Sequence, residues 1–240
     1  MDIYKKNNIR ELITGNPYVG RGVVTGKSAD GKKAVFASFI MGRSANSRNR
    51  VFAATADGIR TEPFDYSKVQ DPSLIIYNAV RRIGSAIIVT NGDQTDTIYD
   101  FIAEGKTFEE ALDTREFEPD GPNFTPRISA VLFINGNELT YKQNILKSAD
   151  AEGTACNRYT FSYNSLPGVG HFLHTYITDG APIPSFCGEP ERIAIPDDID
   201  EFTNDLWNGL DEANKISLFV SYTDLETKAE ETRLINKYVK

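Results

Sequence analysis

Apolar residues fall along this chain in short runs, many of them alternating with polar ones and bounded by turn residues. That is the pattern of many strands and few helices. Tyr18–Thr25 and Lys33–Met41 flank Ser28-Ala29-Asp30-Gly31, a hairpin turn signal. Val51–Thr55 and Ile59–Phe64 flank Asp57-Gly58, and Leu74–Val80 and Ser85–Thr90 flank a bend near Gly84. Ile128–Ile134 and Glu138–Ile145 flank Asn135-Gly136, the strongest hairpin signal in the sequence. Further strands are expected at Tyr159–Tyr163, His171–Ile177, Arg192–Ile195, Ile216–Tyr222 and Arg233–Tyr238. The last is read as a strand because Leu234 and Asn236 alternate with Ile235 and Lys237.

Helical spacing is confined to two places. Ile98, Phe101 and Ile102 predict a helix over Asp96–Glu104, with Gly105 where it stops. A second begins at Thr107, which forms a capping box with Glu110 ahead of Ala111 and Leu112. Asp197–Leu210 predicts a third, with Ile199, Phe202, Leu206 and Leu210 on one face and an acidic first turn. Strands in two sets with helices grouped apart imply an α+β fold, helices packed outside stacked antiparallel sheets. No repeat or linker divides the chain, so residues 1–240 are read as a single domain.

Composition narrows the function classes. A net charge of −8, from 26 basic and 34 acidic residues, argues against general affinity for nucleic acid. The basic islands are local, at Arg43–Arg50 and Arg81-Arg82, and suit a small anion better than a polymer. No run approaches the ~20 apolar residues of a membrane span, and Met1–Asn8 lacks the apolar stretch of a secretory signal. Cys156 and Cys187 make no disulfide framework, so a reducing cytoplasm is expected. With two His and two Cys, no structural zinc site is expected. His171 and His174 stand three apart in a strand and so point to opposite faces. Cys156 reads as an inert thiol, and Gly168-Val169-Gly170 lacks the following helix of a phosphate loop.

Candidate chemistry gathers at three stretches. Asn91–Ile98 packs amide, hydroxyl and carboxylate groups between the core strand Ala86–Val89 and a helix start, where free backbone N–H groups suit a ligand's oxygens. The bland alternative is a capped helix. Arg43, Arg48 and Arg50 lie within eight residues, and Asn123–Ile128 places Arg127 at the mouth of a strand. Alone, these residues support a soluble α+β protein with an Arg-rich anion pocket.

Gly20-Arg21, Asn49-Arg50, Tyr77-Asn78, Asn91-Gly92 with Thr95-Asp96-Thr97-Ile98, and Thr125-Pro126-Arg127-Ile128 occur in that order over roughly the first 135 residues. In this the chain resembles the archaeal-type inosine monophosphate (IMP) cyclohydrolase family. The resemblance implies a four-layer αββα sandwich like that of the N-terminal nucleophile hydrolases, without autoprocessing. No Thr, Ser or Cys occurs in the first ten residues to serve as such a nucleophile. It implies closure of the purine ring of 5-formamidoimidazole-4-carboxamide ribonucleotide, with no cofactor or metal. The partner is the purine ribonucleotide substrate, with no nucleic acid or membrane; homo-oligomerisation is left open.

The family pattern assigns the reacting end to Arg50, which polarises the formyl oxygen, Tyr77, which donates to it or relays a proton, and Glu118, which orients or deprotonates the carboxamide. Asn91, Thr95, Asp96 and Thr97 contact base or ribose or shape the pocket, Asp96 alternatively capping the helix. Arg21 and Arg127 are phosphate or pocket ligands, or members of buried ion pairs. Two other functions fit the same resemblance: a noncatalytic purine-nucleotide-binding protein, or a cyclohydrolase for a related formamide.

Overall fold

A computed structural model describes residues 4–69 and 75–238. The first half runs α1 (Ile9–Ile13), β1 (Arg21–Lys27), β2 (Lys33–Met41), α2 (Ala45–Arg48), β3 (Val51–Ala54), β4 (Ile59–Glu62), β5 (Asn78–Ile83), β6 (Ala86–Thr90), α3 (Gln94–Ala103) and α4 (Phe108–Asp113). The second runs β7 (Arg127–Asn135), β8 (Glu138–Ser148), β9 (Cys156–Asn164), β10 (Val169–His174), β11 (Glu191–Ala194), α5 (Ile199–Gly209), β12 (Lys215–Asp224) and β13 (Glu230–Asn236). The fold is α+β. One sheet has the order β11-β10-β1-β2-β12-β13 and the other β3-β4-β5-β6-β7-β8-β9, with every pairing between these strands antiparallel.

Strand alternation sorts the side chains into three cores. In β2, Ala34, Phe36 and Ile40 join Ile87 and Val89 of β6 and Ile128, Ala130 and Leu132 of β7 in a core shared by both sheets. The intervening Val35, Ala37 and Phe39 turn the other way, against Ile9 and Ile13 of α1 and Phe202 and Leu206 of α5. On the far side of the second sheet, Ile88 and Val131 pack with Ile98 of α3 and Ala111 and Leu112 of α4. Period-two alternation with both faces apolar is what a strand buried on both sides requires. Two polar clasps cross between the sheets: Gln143 Nε2 donates to Thr25 Oγ1 (3.0 Å) and His171 O (2.9 Å). At the opposite edge, the Asn236 amide accepts from Phe52 N (2.9 Å) and donates to Phe52 O (3.0 Å).

The hairpins sit where turn chemistry placed them, with Gly31, Gly84 and Gly136 at positive φ. Several boundaries differ from the sequence reading. β1 begins at Arg21 rather than Tyr18, and β10 ends at His174 rather than Ile177. β9 and β13 are longer or shifted, because their exposed faces carry polar residues that hide the period. α3 begins at Gln94, so Asp96 lies inside its first turn. Five-residue α1 has too little periodicity to be legible. Leu74, at the start of the expected Leu74–Val80 strand, lies outside the described residues, and β5 begins at Asn78. Among the described residues, no helix is long and apolar enough to cross a membrane.

The α4 start matches its sequence signature. Thr107 Oγ1 accepts from Glu110 N (3.2 Å) while the Glu110 carboxylate accepts from Thr107 N (2.7 Å). Thr107→Ala removes one half of this reciprocal cap and should lower stability by about 1 kcal/mol. A urea melt should show the midpoint falling with the slope unchanged; an unmoved midpoint means the cap contributes nothing.

Candidate functional site

Arg21 opens β1 directly after Gly20, which has φ +80°. A Cβ on Gly20 would lie 2.1 Å from Thr175 Oγ1 and 2.6 Å from the Tyr176 ring, so the segment after β10 closes over this point only because the side chain is absent. Thr175 then ties the two strands, its Oγ1 accepting from Arg21 N (3.1 Å) and its N–H donating to Arg21 O (3.0 Å). Arg50 stands between α2 and β3. The backbone turn carrying it packs on Gly42, where a Cβ would lie 2.7 Å from Ser47 O. Glu118 is fixed by its N–H donating to Thr125 O (2.9 Å). Thr125 is itself clasped by Asp120, whose carboxylate accepts from its amide and its hydroxyl.

These segments enclose a cavity of about 230 Å³ bordered by Arg21, Arg50, Glu118, Asp120, Tyr18 and Tyr176. Arg21, Arg50 and Glu118 are 8%, 4% and 8% exposed, so three ionisable groups share a site almost without water. Arg21 Nε and Arg50 Nε and Nη1 are buried with no hydrogen-bond partner, as is the acceptor Asn46 Oδ1 at the cavity wall. Leaving one buried polar atom unpaired costs about 1–3 kcal/mol. Both arginines border the cavity, and unpaired guanidinium donors beside such a space are what an anionic or carbonyl ligand satisfies.

The electrostatics follow from this crowding. Burial opposes the Arg21 charge, but Glu118 and the Tyr18, Tyr77 and Tyr176 phenols outweigh it and raise its pKa. Burial, then repulsion from Arg21, lowers that of Arg50. Burial pushes the Glu118 carboxyl up, against the pull of Arg21, Arg127 and Arg50. Tyr77, 6% exposed and immediately before β5, is raised by burial and pulled down by Arg50 and Arg21. Its backbone is pinned by Thr61, whose N–H donates to Tyr77 O (2.8 Å) and whose Oγ1 accepts from Tyr77 N (3.1 Å). Arg21, Arg50, Tyr77 and Glu118 therefore form one electrostatic group.

Of the rest of the expected set, Arg127 also acts on Glu118 and Tyr77, while Asn91, Thr95, Asp96 and Thr97 take no part in the group. Asn91 is engaged at both ends of its amide: Nδ2 donates to Pro126 O (2.8 Å), and Oδ1 accepts from Gln94 Nε2 (3.0 Å) and Ile128 N (2.9 Å). Thr95 Oγ1 pairs with Thr90 Oγ1 (2.6 Å) and Gly92 O (3.1 Å). Asp96 accepts from Asn78 (2.9 Å) and Arg81 (3.0 Å), and Thr97 is half-buried on α3. Arg127 donates to Asp93 and to Gln94 Oε1 (2.9 Å), within electrostatic reach of Glu118. Of the Arg island, Arg43 is held by Asp179 and Gly180 O and Arg48 by Gly42 O and Asn214, so only Arg50 has unpaired buried nitrogens. Tyr18, Asp120 and Tyr176 were not anticipated. Tyr176 comes from a segment after β10 that carries no motif, and Asp120 reads in sequence as one more acid in an acidic loop. Among the described residues, no group of three or more His, Cys, Asp and Glu is placed to hold a metal ion.

A profile of IMP cyclohydrolase-like proteins matches residues 18–228, a span that includes every side chain of this group. The chain belongs to the archaeal-type IMP cyclohydrolase family. The IMP cyclohydrolase of Methanococcus aeolicus is 32% identical over 143 residues, covering 54% of this chain and 69% of that protein. That of Methanococcus maripaludis strain C7 is 32% identical over 147 residues, covering 56% and 71%. That of Methanocaldococcus jannaschii is 29% identical over 126 residues, covering 52% and 61%.

Arg127→Ala should strip Asp93 and the buried Gln94 amide of a donor and lower stability by about 2 kcal/mol. The check is the urea midpoint of the ligand-free protein. A midpoint within error of the parent would mean that Arg127 serves a ligand alone.

Proposed function

We propose that this chain closes the purine ring, converting 5-formamidoimidazole-4-carboxamide ribonucleotide to IMP and water, on a four-layer αββα sandwich formed by residues 1–240 as one domain. The observation that carries the reading is the pair of buried guanidiniums, Arg21 and Arg50, with unpaired donors in one cavity beside Glu118, in a chain of this family. The carboxamide nitrogen attacks the formyl carbon and loses one proton, and the formyl oxygen takes up the charge and a proton to become a hydroxyl. That hydroxyl leaves as water on taking a second proton as the formamido nitrogen gives up its own. Both reacting groups belong to one molecule, so neither an enzyme nucleophile nor autoprocessing is required. The catalytic work is positioning, charge stabilisation and proton transfer.

Arg50 donates to the formyl oxygen from its unpaired nitrogens. Tyr77 supplies a phenolic proton to the same oxygen; its raised pKa keeps it protonated. Glu118 takes a proton from the carboxamide nitrogen, and burial, by raising its pKa, makes it a stronger base than a solvated carboxylate. Arg21 holds an oxygen of the ligand through its free Nε. The cavity is smaller than the ~300 Å³ at which ligand pockets usually begin. It suits the heterocycle and its two reacting substituents, with the ribose phosphate toward the mouth, where the more exposed Arg43 stands. Asn91, Thr95, Asp96, Thr97 and Arg127 then act mainly by shaping the wall.

The direct test is conversion of the formamido ribonucleotide by purified protein in buffer with a chelator, followed by IMP absorbance. Activity that appears only on adding a divalent metal overturns the metal-free mechanism. Nucleotide binding with no IMP under any condition favours the noncatalytic reading, and turnover of another formamide alone changes the substrate.

Arg50→Lys keeps the charge but loses the planar, two-pronged donor, and Tyr77→Phe removes one hydroxyl with the ring in place. Each should lower kcat by about 10²–10³, the scale of one lost oxyanion donor. IMP affinity should change by less than about tenfold, because the product carries no developing charge. Should both variants lose IMP binding at unchanged kcat, the two residues are ligand holders and the catalytic roles fail.

A further inference from the structure

A second cavity, of about 510 Å³, opens at the other end of β1 and β10, where His171 lies opposite Thr25 rather than beside Arg21. Its floor is aromatic. Tyr163 stacks on His171 with ring centroids 3.7 Å and planes 16° apart, and the Tyr141 hydroxyl lies 2.8 Å from His171 Nδ1. Burial, reinforced by Arg192, brings the His171 imidazole down to about 4, and burial raises the Tyr141 phenol. Both rings are neutral at neutral pH. An imidazole nitrogen is a better acceptor than a phenol oxygen, so the phenol donates and Nδ1 accepts. The remaining proton of His171 therefore sits on Nε2, and that N–H has no acceptor among the described residues.

Two cations border the same space. Lys5 is carried there by a segment that pairs with edge strand β11: Asn7 N donates to Arg192 O (3.0 Å) and Ala194 N to Asn7 O (2.9 Å). Arg192, on β11, holds its guanidinium over the Tyr4 ring, 5.6 Å from its centroid. Neither cation pairs with a carboxylate among the described residues, whereas Arg81, Arg115, Arg127 and Arg233 each do. Glu189 is the one carboxylate in the lining, and it is exposed.

We propose that this cavity is a second ligand site, one that takes a small organic phosphate, with Lys5, Arg192 and the His171 Nε2–H as its donors. Three donors from separate elements match the three oxygens of a phosphate better than the two of a carboxylate. The volume lies within the ~300–1,000 Å³ of small-molecule pockets, leaving room for a sugar-sized body beyond the phosphate. Leu166 and the edge of Tyr163 offer that body an apolar wall. The site stands whether or not the chain closes a purine ring, because it shares no residue with the first cavity.

The sequence supplies its own probe, since His171 and His174 are its two histidines. His174 sits on the opposite face of β10, with Nδ1 donating to Tyr176 O (2.7 Å) and Nε2 3.1 Å from a Glu191 carboxylate oxygen. Protein labelled with 15N-histidine is titrated with ribose 5-phosphate and read by imidazole NMR. In the free protein Nδ1 of His171 should show the shift of an acceptor nitrogen. On titration Nε2 of His171 should move and saturate below about 1 mM ligand. Lys5→Ala and Arg192→Ala should each weaken that response at least about tenfold, with the His174 signals in place to show that the variants are folded. Inorganic phosphate should act at the same nitrogen at higher concentration. No movement of His171 at about 10 mM ligand, movement that both variants leave intact, or movement of His174 alone would each overturn the proposal.

Discussion

The candidate site depends on one electrostatic constraint: two guanidiniums, Arg21 and Arg50, share a nearly dry space with one buried carboxyl, Glu118, while the half-buried Asp120 stands at the wall. Like charges repel more strongly as water is removed, and Arg21 and Glu118 attract each other for the same reason. The fold tolerates the arrangement because each group is anchored through its backbone. Gly20 and Thr175 fix Arg21, the packing of α2 on Gly42 fixes Arg50, and Thr125 with Asp120 fixes Glu118. None of these anchors uses the charged head itself. The heads are thus free to face a ligand, and positions set by backbone need little reorganisation when charge develops.

This constraint explains why the neighbouring polar corner is built differently. At Asn91–Thr97 nearly every side-chain group meets another protein group, so the corner serves as a bracket joining β6, α3 and the start of β7. Arg127 bonds to Asp93, which also takes Arg115, so its charge is mostly spent within the protein. Two clusters of similar polarity in sequence therefore differ in how their polar groups are used: paired within the protein in one, left unpaired beside a cavity in the other.

That difference also marks how far the sequence could be read. Hairpins at Gly31, Gly84 and Gly136 and the cap at Thr107 are local events, decided by residues within a few positions, and were legible. Ordered motifs in the first half of the chain singled out Arg21, Arg50 and Tyr77, and a place ahead of Thr125-Pro126-Arg127 singled out Glu118. That these four act on one another electrostatically is a long-range matter the sequence did not hold. Whether Asn91 bonds a ligand or Ile128 N is a long-range matter on which composition is silent. Tyr176 was unreadable for the same reason: it reaches the site only because β10 pairs with β1, a contact across 154 residues at Arg21 and Thr175. The polar faces of β9 and β13 concealed their ends, since an exposed strand face carries no hydrophobic period.

The Gln143 and Asn236 clasps have a mechanical consequence. Each ties one sheet to the other through two hydrogen bonds, on opposite flanks of the shared core. Shearing the sheets past one another would break both clasps and misalign interdigitated side chains, so the two sheets behave as a single rigid anvil. Any change in the width of the first cavity falls instead on the thin segments over it, the turn bearing Arg43 to Arg50 and the stretch from Tyr176 to Ile183. Arg43 joins these two by its bonds to Asp179 and Gly180. The Arg43 latch therefore also bears on Arg50, which ends the same turn, whereas Arg21 belongs to the sheet beneath.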